Sequence, residues 1–210
     1  MVHRLIKKIF NTSSSNSKNE FVTIVSGLPR SGTSMMMKML EAGGIPPMTD
    51  YQRAADIDNP KGYYEYERAK QLPQGNNEWL LEARGKTLKI ISALLPYLPM
   101  ICPYRIIFME RELQEVLASQ RKMMVHRIED HTNTVTDNEM TEHLQQHLYE
   151  VETWLRVNRE HLSCLRMNYN AVLKQPDIHI KQLNRYLGGN LDLAGMISVI
   201  DPALYRNRSE

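Results

Sequence analysis

The segment GLPRSGTS at residues 27–34 constrains the fold most, because it lies between a strand-like and a helix-like stretch. Residues 21–25 form a short run rich in β-branched side chains, which is typical of a buried strand. Residues 33–42 are rich in helix formers, and Gly43-Gly44 can end that helix. A strand, a glycine-containing loop and a helix in this order predict an anion site, since loop N–H groups converge there and the helix N-terminus carries partial positive charge.

The residue types within this loop suit an anion. Its two glycines allow close backbone approach, Arg30 offers a planar guanidinium, and Thr33 and Ser34 add hydroxyl donors. Thr33 stands where the nucleoside-triphosphate loop G-x-x-x-x-G-K-[ST] has its lysine, which argues against an ordinary ATPase or kinase. The alternative is a helix start capped by Ser31 or Thr33, but one such residue would be enough for a cap.

The rest of the chain alternates strand-like and helix-like segments. Strands are predicted at residues 87–91, 105–109 and 162–169, and helices at residues 112–124, 141–160 and 177–187. Residues 45–64 and 128–139 are expected to be loops. The alternation predicts the α/β class, as a three-layer P-loop-type fold with a mainly parallel central sheet flanked by helices. Residues 1–20 are predicted to be a flexible N-terminal tail before a single domain at residues 21–210.

Composition argues against several classes of function. The formal net charge is +2 and the isoelectric point is about 8.5, which is too weakly basic to predict nucleic-acid binding. The longest apolar stretch, residues 90–102, is interrupted by Pro96 and Pro99, so stable membrane insertion is not predicted. Cys102 and Cys164 lie in largely apolar surroundings and are expected to be buried thiols without a disulfide. We therefore expect a cytoplasmic protein.

The loop GLPRSGTS after a strand resembles the 5′-phosphosulfate loop of sulfotransferases that use 3′-phosphoadenosine 5′-phosphosulfate (PAPS). The family loop reads Pro-Lys/Arg-Ser-Gly-Thr-Thr/Ser. Its second half-site is a strand ending in Arg and a helix with Ser eight residues on, a spacing that Arg111 and Ser119 match. The resemblance implies that Arg111 and Ser119 bind the 3′-phosphate of the donor. It also implies a set of donor-binding loop residues, namely Pro29, Arg30, Ser31, Gly32, Thr33 and Ser34. The alternatives are a surface ion pair of Arg111 with Glu110 or Glu115, and a neutral helix-surface position for Ser119.

Two further segments extend the resemblance to about residues 21–190. Residues 59–65 (NPKGYYE) are similar to a stretch of bacterial and Golgi-type members. Residues 165–169 (LRMNY) are similar to the family's late strand and the tyrosine that follows, which implies that Tyr169 contacts the donor.

Two departures from the family pattern affect the catalytic residues. Cytosolic members carry a catalytic histidine in a Lys-x-His segment, whereas residues 85–92 read GKTLKIIS here, without histidine. The C-terminal Arg-Lys-Gly motif is also missing, and Arg206 and Arg208 in the sequence YRNR are the candidate replacement.

Candidate catalytic residues follow from these departures. Glu65, directly after the aromatic pair Tyr63-Tyr64, is the predicted general base, and a surface glutamate paired with Arg68 or Lys70 is the equally weighted alternative. Arg30 is predicted to stabilise charge on the leaving phosphate oxygen. Lys89 is the preferred candidate to assist it, and Lys86 is the second.

The resemblance implies in-line transfer of a sulfuryl group from PAPS to a hydroxyl or amine, which yields 3′,5′-adenosine bisphosphate and needs no metal. The acceptor stays open among small molecules, saccharides and peptides. Two other functions stay open: a P-loop nucleotide or small-molecule kinase, with Glu110 as the metal ligand, and a PAPS-binding module without catalysis. His143 and His147 have metal-ligand spacing, but a polar helix face is favoured. The helix at residues 141–160 fits either a homodimer or packing on the sheet.

Overall fold

A four-stranded parallel sheet forms the centre of the protein. The computed structural model describes residues 21–50, 52, 62–126 and 136–200. The strands are β1 (Val22–Gly27), β2 (Thr87–Lys89), β3 (Tyr104–Glu110) and β4 (Leu162–Asn168). Their order in the sheet is β2-β1-β3-β4, and each neighbouring pair is parallel. The chain therefore steps from β1 to one edge and then crosses to the other side, so the carboxyl ends of β1 and β3 become neighbours.

Helices connect the strands and cover the sheet. The α-helices are α1 (Thr33–Ala42), α2 (Leu113–His126), α3 (Asp137–Val157), α4 (Tyr169–Lys174), α5 (Pro176–Leu187) and α6 (Leu193–Ser198). Three 3₁₀ segments span Glu67–Gln74, Glu78–Ala83 and Ser92–Tyr97. The helix and strand predictions along the chain are confirmed, with shifts at several ends.

Alternating side chains of the strands build one core on each face of the sheet. Ile24 and Ile106 point to the face covered by α3 and the 3₁₀ segments, here called the α3 face. Val25 and Ile107 point to the face covered by α1, α5 and α6, here called the α1 face. All six residues of β1 are buried, as expected for a strand covered on both faces. This arrangement confirms the predicted three-layer α/β fold with a parallel central sheet.

Helix α3 begins at Asp137, so the prediction of a loop up to residue 139 is wrong. Thr136 and Glu139 form a capping box there: the Glu139 N–H donates to the Thr136 hydroxyl at 3.3 Å, and the Thr136 N–H donates to the Glu139 carboxylate at 2.8 Å. Val151 and Leu155 bury the helix against the sheet. Packing on the sheet is thus present, and a homodimer stays a prediction.

Short elements and strand ends differ from the sequence prediction. Strand β2 ends at Lys89 rather than residue 91, because the chain turns into the third 3₁₀ segment at Ser92. Strand β4 ends at Asn168, whose side chain accepts from the Ala171 N–H and starts α4 at Tyr169. Helices α4 and α6 and the 3₁₀ segments lack the length that makes periodicity visible.

Further predictions concern the cysteines, membrane spans and the ends of the chain. Cys102 and Cys164 are free; Cys102 is buried as predicted, whereas Cys164 is half-buried. Burial raises the pKa of the Cys164 thiol to about 12. None of the helices described is long and apolar enough to cross a membrane. The predicted tail at residues 1–20 and the final residues 201–210 lie outside the described residues, so the domain boundaries stay predictions.

We predict that Thr136→Ala lowers the free energy of unfolding by about 1 kcal/mol, because it removes the acceptor of the capping box. Urea denaturation followed by circular dichroism measures this loss. Thr141→Ala is the matched control, since the Thr141 hydroxyl only donates back to the Asp137 carbonyl within the helix. An equal loss in both variants would contradict the capping role.

Candidate functional site

The loop between β1 and α1 adopts a left-handed backbone at two positions. Arg30 has φ 76° and Gly32 has φ 96°. A left-handed backbone at a non-glycine residue is uncommon and costs about 1–3 kcal/mol, and such residues are enriched at functional sites. No side chain caps α1 within the part of the chain that the structure describes, because its N-cap is Gly32. The alternative of a helix start capped by Ser31 or Thr33 is therefore wrong, and the first turn presents the uncapped N–H groups of an anion site.

Two hydroxyl groups of this region are buried without a hydrogen-bond partner. They are Ser26 Oγ, at the end of β1, and Ser31 Oγ, in the loop, and neither contacts a polar partner among the described residues. Buried polar groups are nearly always satisfied, so such atoms indicate a ligand or water position. This observation agrees with the predicted role of Ser31 in binding an anion.

Arg111 and Ser119 lie directly against the loop. Arg30 Nε donates to Ser119 Oγ at 2.9 Å, and Arg111 Nη1 donates to the Arg30 carbonyl at 3.1 Å. Gln120 adds a weaker contact, with Nε2 at 3.3 Å from the Pro29 carbonyl. Ser119 is buried, so it is not the helix-surface residue of the alternative interpretation. The structure thus brings together two segments that are more than 80 residues apart in sequence.

Arg111 forms a buried ion pair rather than a surface one. Arg111 Nε is 2.7 Å from Glu115 Oε2, and the two side chains are 8% and 1% exposed. Glu115 Oε1 accepts from Asn170 Nδ2 at 3.0 Å, which ties α2 to α4. An ion pair of Arg111 with Glu115 was one of the alternatives that the sequence offered, but as a surface pair, whereas Asn170 was not singled out.

Tyr169 packs against both halves of the site. The Arg111 guanidinium lies 4.6 Å from the centre of the Tyr169 ring, a cation–π contact. A Cβ atom added at Gly32 would come within 2.4 Å of Tyr169 Cδ2. Glycine is therefore needed at this position for the Tyr169 ring to pack against the loop. Burial raises the pKa of the Tyr169 phenol, and Arg111 opposes that rise in part. The phenol stays protonated at neutral pH and can donate a hydrogen bond.

Lys89 reaches the first turn of α1 from the end of β2. Its Nζ donates to the Tyr63 carbonyl at 2.8 Å and lies 3.2 Å from Ser34 Oγ. Lys89 pairs with Val25, near the carboxyl end of β1. Lys86 comes just before Thr87, which pairs with Thr23 near the amino end of β1. Lys86 therefore lies toward the amino end of the sheet, and the alternative that it serves the loop is wrong.

Glu65 lies two residues beyond Tyr63 and is paired with a lysine. Lys70 Nζ is 3.5 Å from Glu65 Oε2 and 2.8 Å from Glu67 Oε2, and the Glu65 side chain is 23% exposed. This is the ion pair expected from the alternative interpretation, with Lys70 as the partner. The predicted role of Glu65 as general base stays a prediction.

The remaining candidates do not form part of the loop site. Glu110 pairs with Arg166, and both side chains are substantially exposed. His143 is exposed, while His147 Nε2 contacts Ser92 Oγ at 2.8 Å. No group of three potential metal-ligating side chains occurs among the described residues. Residues 59–61 of the NPKGYYE stretch lie outside the described residues, as do Arg206 and Arg208.

Comparison with known proteins identifies the fold. The structure is similar to the sulfotransferase domain from the Synechococcus PCC 7002 olefin synthase, with a TM-score of 0.52 and 16% sequence identity over 94% of this chain and 86% of that chain. A sulfotransferase domain from the curacin biosynthetic pathway has a TM-score of 0.43 and 13% identity over 90% of this chain and 78% of that chain. No family model and no curated protein matches the sequence. The chain therefore has a sulfotransferase-type α/β fold, which agrees with the predicted P-loop-type architecture.

We predict that Glu115→Gln lowers the free energy of unfolding by roughly 3–5 kcal/mol, because it leaves the buried Arg111 guanidinium without its counter-charge. Glu110→Gln is the matched control, since it removes the carboxylate of an exposed arginine pair and should cost at most about 1 kcal/mol. Chemical denaturation of both variants measures the difference. Similar losses of stability in the two variants would contradict the claim that burial makes the Arg111–Glu115 pair costlier to break than the exposed Glu110–Arg166 pair.

Proposed function

We propose that the chain is a sulfotransferase that transfers a sulfuryl group from PAPS to a hydroxyl or amine acceptor. The observation that carries the proposal is the direct contact between two segments that are each predicted to bind an anion. Arg30 in the loop donates to Ser119, and Arg111 at the end of β3 donates to the Arg30 carbonyl. Two adjoining anion sites match a nucleotide with phosphate groups on both its 5′ and 3′ positions.

The residues present fit this donor. Residues 29–34, at the uncapped start of α1, would hold the 5′-phosphosulfate through N–H groups, hydroxyls and Arg30. Arg111 and Ser119 would hold the 3′-phosphate, and Tyr169 would contact the nucleotide beside them. The unpartnered, buried Ser31 hydroxyl supports this assignment. When bound, the donor supplies the sulfuryl group and a phosphate leaving group, and 3′,5′-adenosine bisphosphate is the product.

Two cations are available to stabilise negative charge on the leaving oxygen. Lys89 Nζ lies 3.2 Å from Ser34 Oγ, beside the first turn of α1. Arg30 supplies a guanidinium from within the loop. Lys89 is already held by its hydrogen bond to the Tyr63 carbonyl, so it needs little reorganisation, which is the basis of electrostatic catalysis. Arg30 is held by Ser119 and must share or release that hydrogen bond when the 3′-phosphate binds. We propose that the protein acts mainly by positioning and charge stabilisation.

The proton of the acceptor also needs a base. As the acceptor oxygen or nitrogen forms its bond to sulfur and the bond to the phosphate oxygen breaks, the acceptor's proton must leave. Glu65 is the proposed base, because it follows the segment whose Tyr63 carbonyl contacts Lys89. For Glu65 to act as the base, its ion pair with Lys70 must break. Lys70 is largely exposed and also pairs with Glu67, so it can stay with Glu67 when Glu65 is released.

The same ion pair favours a second candidate function, a PAPS-binding module without catalysis. The proposed base is engaged by Lys70 rather than directed at an acceptor, and the histidine of the family that the chain resembles is absent. A kinase has less support. Its loop lysine is replaced by Thr33, and Glu110, its candidate metal ligand, is engaged with Arg166.

We expect the wild type to bind 3′,5′-adenosine bisphosphate at least about tenfold more tightly than 5′-AMP or Mg-ATP, because hydrogen bonds to a charged group contribute about 1.5–3 kcal/mol. Titration calorimetry measures the three affinities. Arg111→Ala and Ser119→Ala should both remove the preference. Ser119→Ala is the more informative of the two variants, because it leaves the buried Arg111–Glu115 pair intact and so should not disturb the fold.

Ser198→Ala in α6 is the matched control for that experiment, since the Ser198 hydroxyl donates to the Gly195 carbonyl within its own helix. It should bind like the wild type. Equal affinity of the wild type for all three nucleotides would contradict the donor assignment, and a preference for Mg-ATP would favour the kinase.

We predict that Glu65→Gln lowers kcat by about 10²–10⁴ while the affinity for 3′,5′-adenosine bisphosphate stays unchanged, because a general base acts on the acceptor and not on the donor. Release of 3′,5′-adenosine bisphosphate from PAPS in the presence of acceptor alcohols and amines reports turnover. Glu67→Gln is the matched control, as Glu67 pairs with the same lysine. Equal effects of the two variants would argue against Glu65 as the base.

A further inference from the structure

Tyr64 has a left-handed backbone, with φ 53°. Among the described residues other than glycine, only Arg30 and Asn76 share a positive φ. Asparagine adopts this conformation comparatively often, whereas an aromatic residue rarely does. Arg30 belongs to the candidate donor loop, and strained residues of this kind cluster at functional sites. Tyr64 is therefore a candidate for a functional role.

The chain on both sides of Tyr64 is fixed by hydrogen bonds. Before it, the Tyr63 carbonyl accepts from Lys89 Nζ at 2.8 Å. After it, the Glu65 carbonyl accepts from Thr49 Oγ1 at 2.8 Å. A strained conformation persists only where the surrounding structure holds it, and these two contacts hold the backbone of Tyr64 from either side.

The side chain of Tyr64 lies along α1. Its phenol donates to Glu41 Oε2 at 2.5 Å, in the last turn of α1, and its ring packs against the core of the α1 face. Ser34, in the first turn, is seven residues before Glu41, so the two lie on the same side of the helix. Tyr64 thus connects the end of α1 to the segment that holds Lys89 at the start of α1.

The φ angle of Tyr64 sets the direction of the Tyr63 carbonyl. This angle is the rotation between the Tyr64 side chain and the rigid peptide unit that carries that carbonyl. If the ring stayed on α1 and φ changed to the ordinary negative range, the carbonyl would turn away from Lys89. Lys89 Nζ would then lose the acceptor that holds it 3.2 Å from Ser34 Oγ.

We propose that Tyr64 is a positioning residue, whose phenol–Glu41 hydrogen bond holds the left-handed backbone that directs the Tyr63 carbonyl at Lys89. The inference rests on the proposed function and deepens it, because Lys89 is a cation proposed to act on the leaving oxygen. The role of Tyr64 is to keep Lys89 Nζ beside the first turn of α1, where that charge would develop.

The first test measures Lys89 without any nucleotide. Competitive acetylation with acetic anhydride, followed by peptide mass spectrometry, gives the reactivity of Lys89 relative to Lys86. Tyr64→Phe and Glu41→Ala should each raise this ratio by about two- to tenfold, the factor expected for loss of one hydrogen bond. Tyr97→Phe, at an exposed tyrosine of the third 3₁₀ segment, is the matched control and should leave the ratio unchanged. An unchanged ratio in either variant, or an equal rise in the control, would overturn the proposal.

The second test uses turnover of PAPS. Tyr64→Phe should lower kcat by a similar factor and leave KM for PAPS unchanged, because Lys89 acts on the leaving oxygen. In a Lys89→Ala background the same substitution should have no further effect, whereas a merely structural role would lower kcat in either background. Additive losses would therefore overturn the proposal.

The two tests also separate this proposal from the proposed function. If the wild type neither bound 3′,5′-adenosine bisphosphate nor turned over PAPS, the proposed function would be overturned. The acetylation ratio would still decide whether Tyr64 positions Lys89, since that measurement needs no donor.

Discussion

The hydrogen bond from Arg111 to the Arg30 carbonyl joins the two segments on which the candidate site depends. A left-handed backbone at Arg30 costs about 1–3 kcal/mol, so the loop needs support from outside itself. Arg111 can give that support because Glu115 balances its charge in a buried position. Asn170 in turn contacts Glu115, so the loop conformation depends on side chains from β3, α2 and α4.

The parallel sheet explains why these groups meet. Strands β1 and β3 are neighbours in register, and the loop and Arg111 both follow their carboxyl ends. The end of β4 lies beside them and brings the Tyr169 ring onto Gly32, while the end of β2 brings Lys89 to Ser34. All four strands therefore contribute to one edge of the sheet, where helix N-termini also concentrate positive potential.

Sequence patterns predicted the class of fold and the loop, since strand, loop and helix signals are local. The proximity of Arg111 and Ser119 to the loop followed from a resemblance in spacing, and the structure brings these residues into contact. The distinction between Lys86 and Lys89 required the register of β2. The burial of the Arg111–Glu115 pair depends on how α2 and α4 pack beside the end of β3, which no local pattern encodes. The pairing of Glu65 with Lys70 rather than Arg68 likewise depends on how a 3₁₀ segment turns.

The most direct test of the donor site is a crystal structure of the chain with 3′,5′-adenosine bisphosphate. We expect the 5′-phosphate within hydrogen-bond distance of the N–H groups at residues 30–34. We expect the 3′-phosphate at Arg111 and Ser119, with the Arg30 side chain released from Ser119 or shared with the phosphate. A nucleotide bound with its 3′-phosphate in solvent, or bound away from the loop, would contradict the central claim.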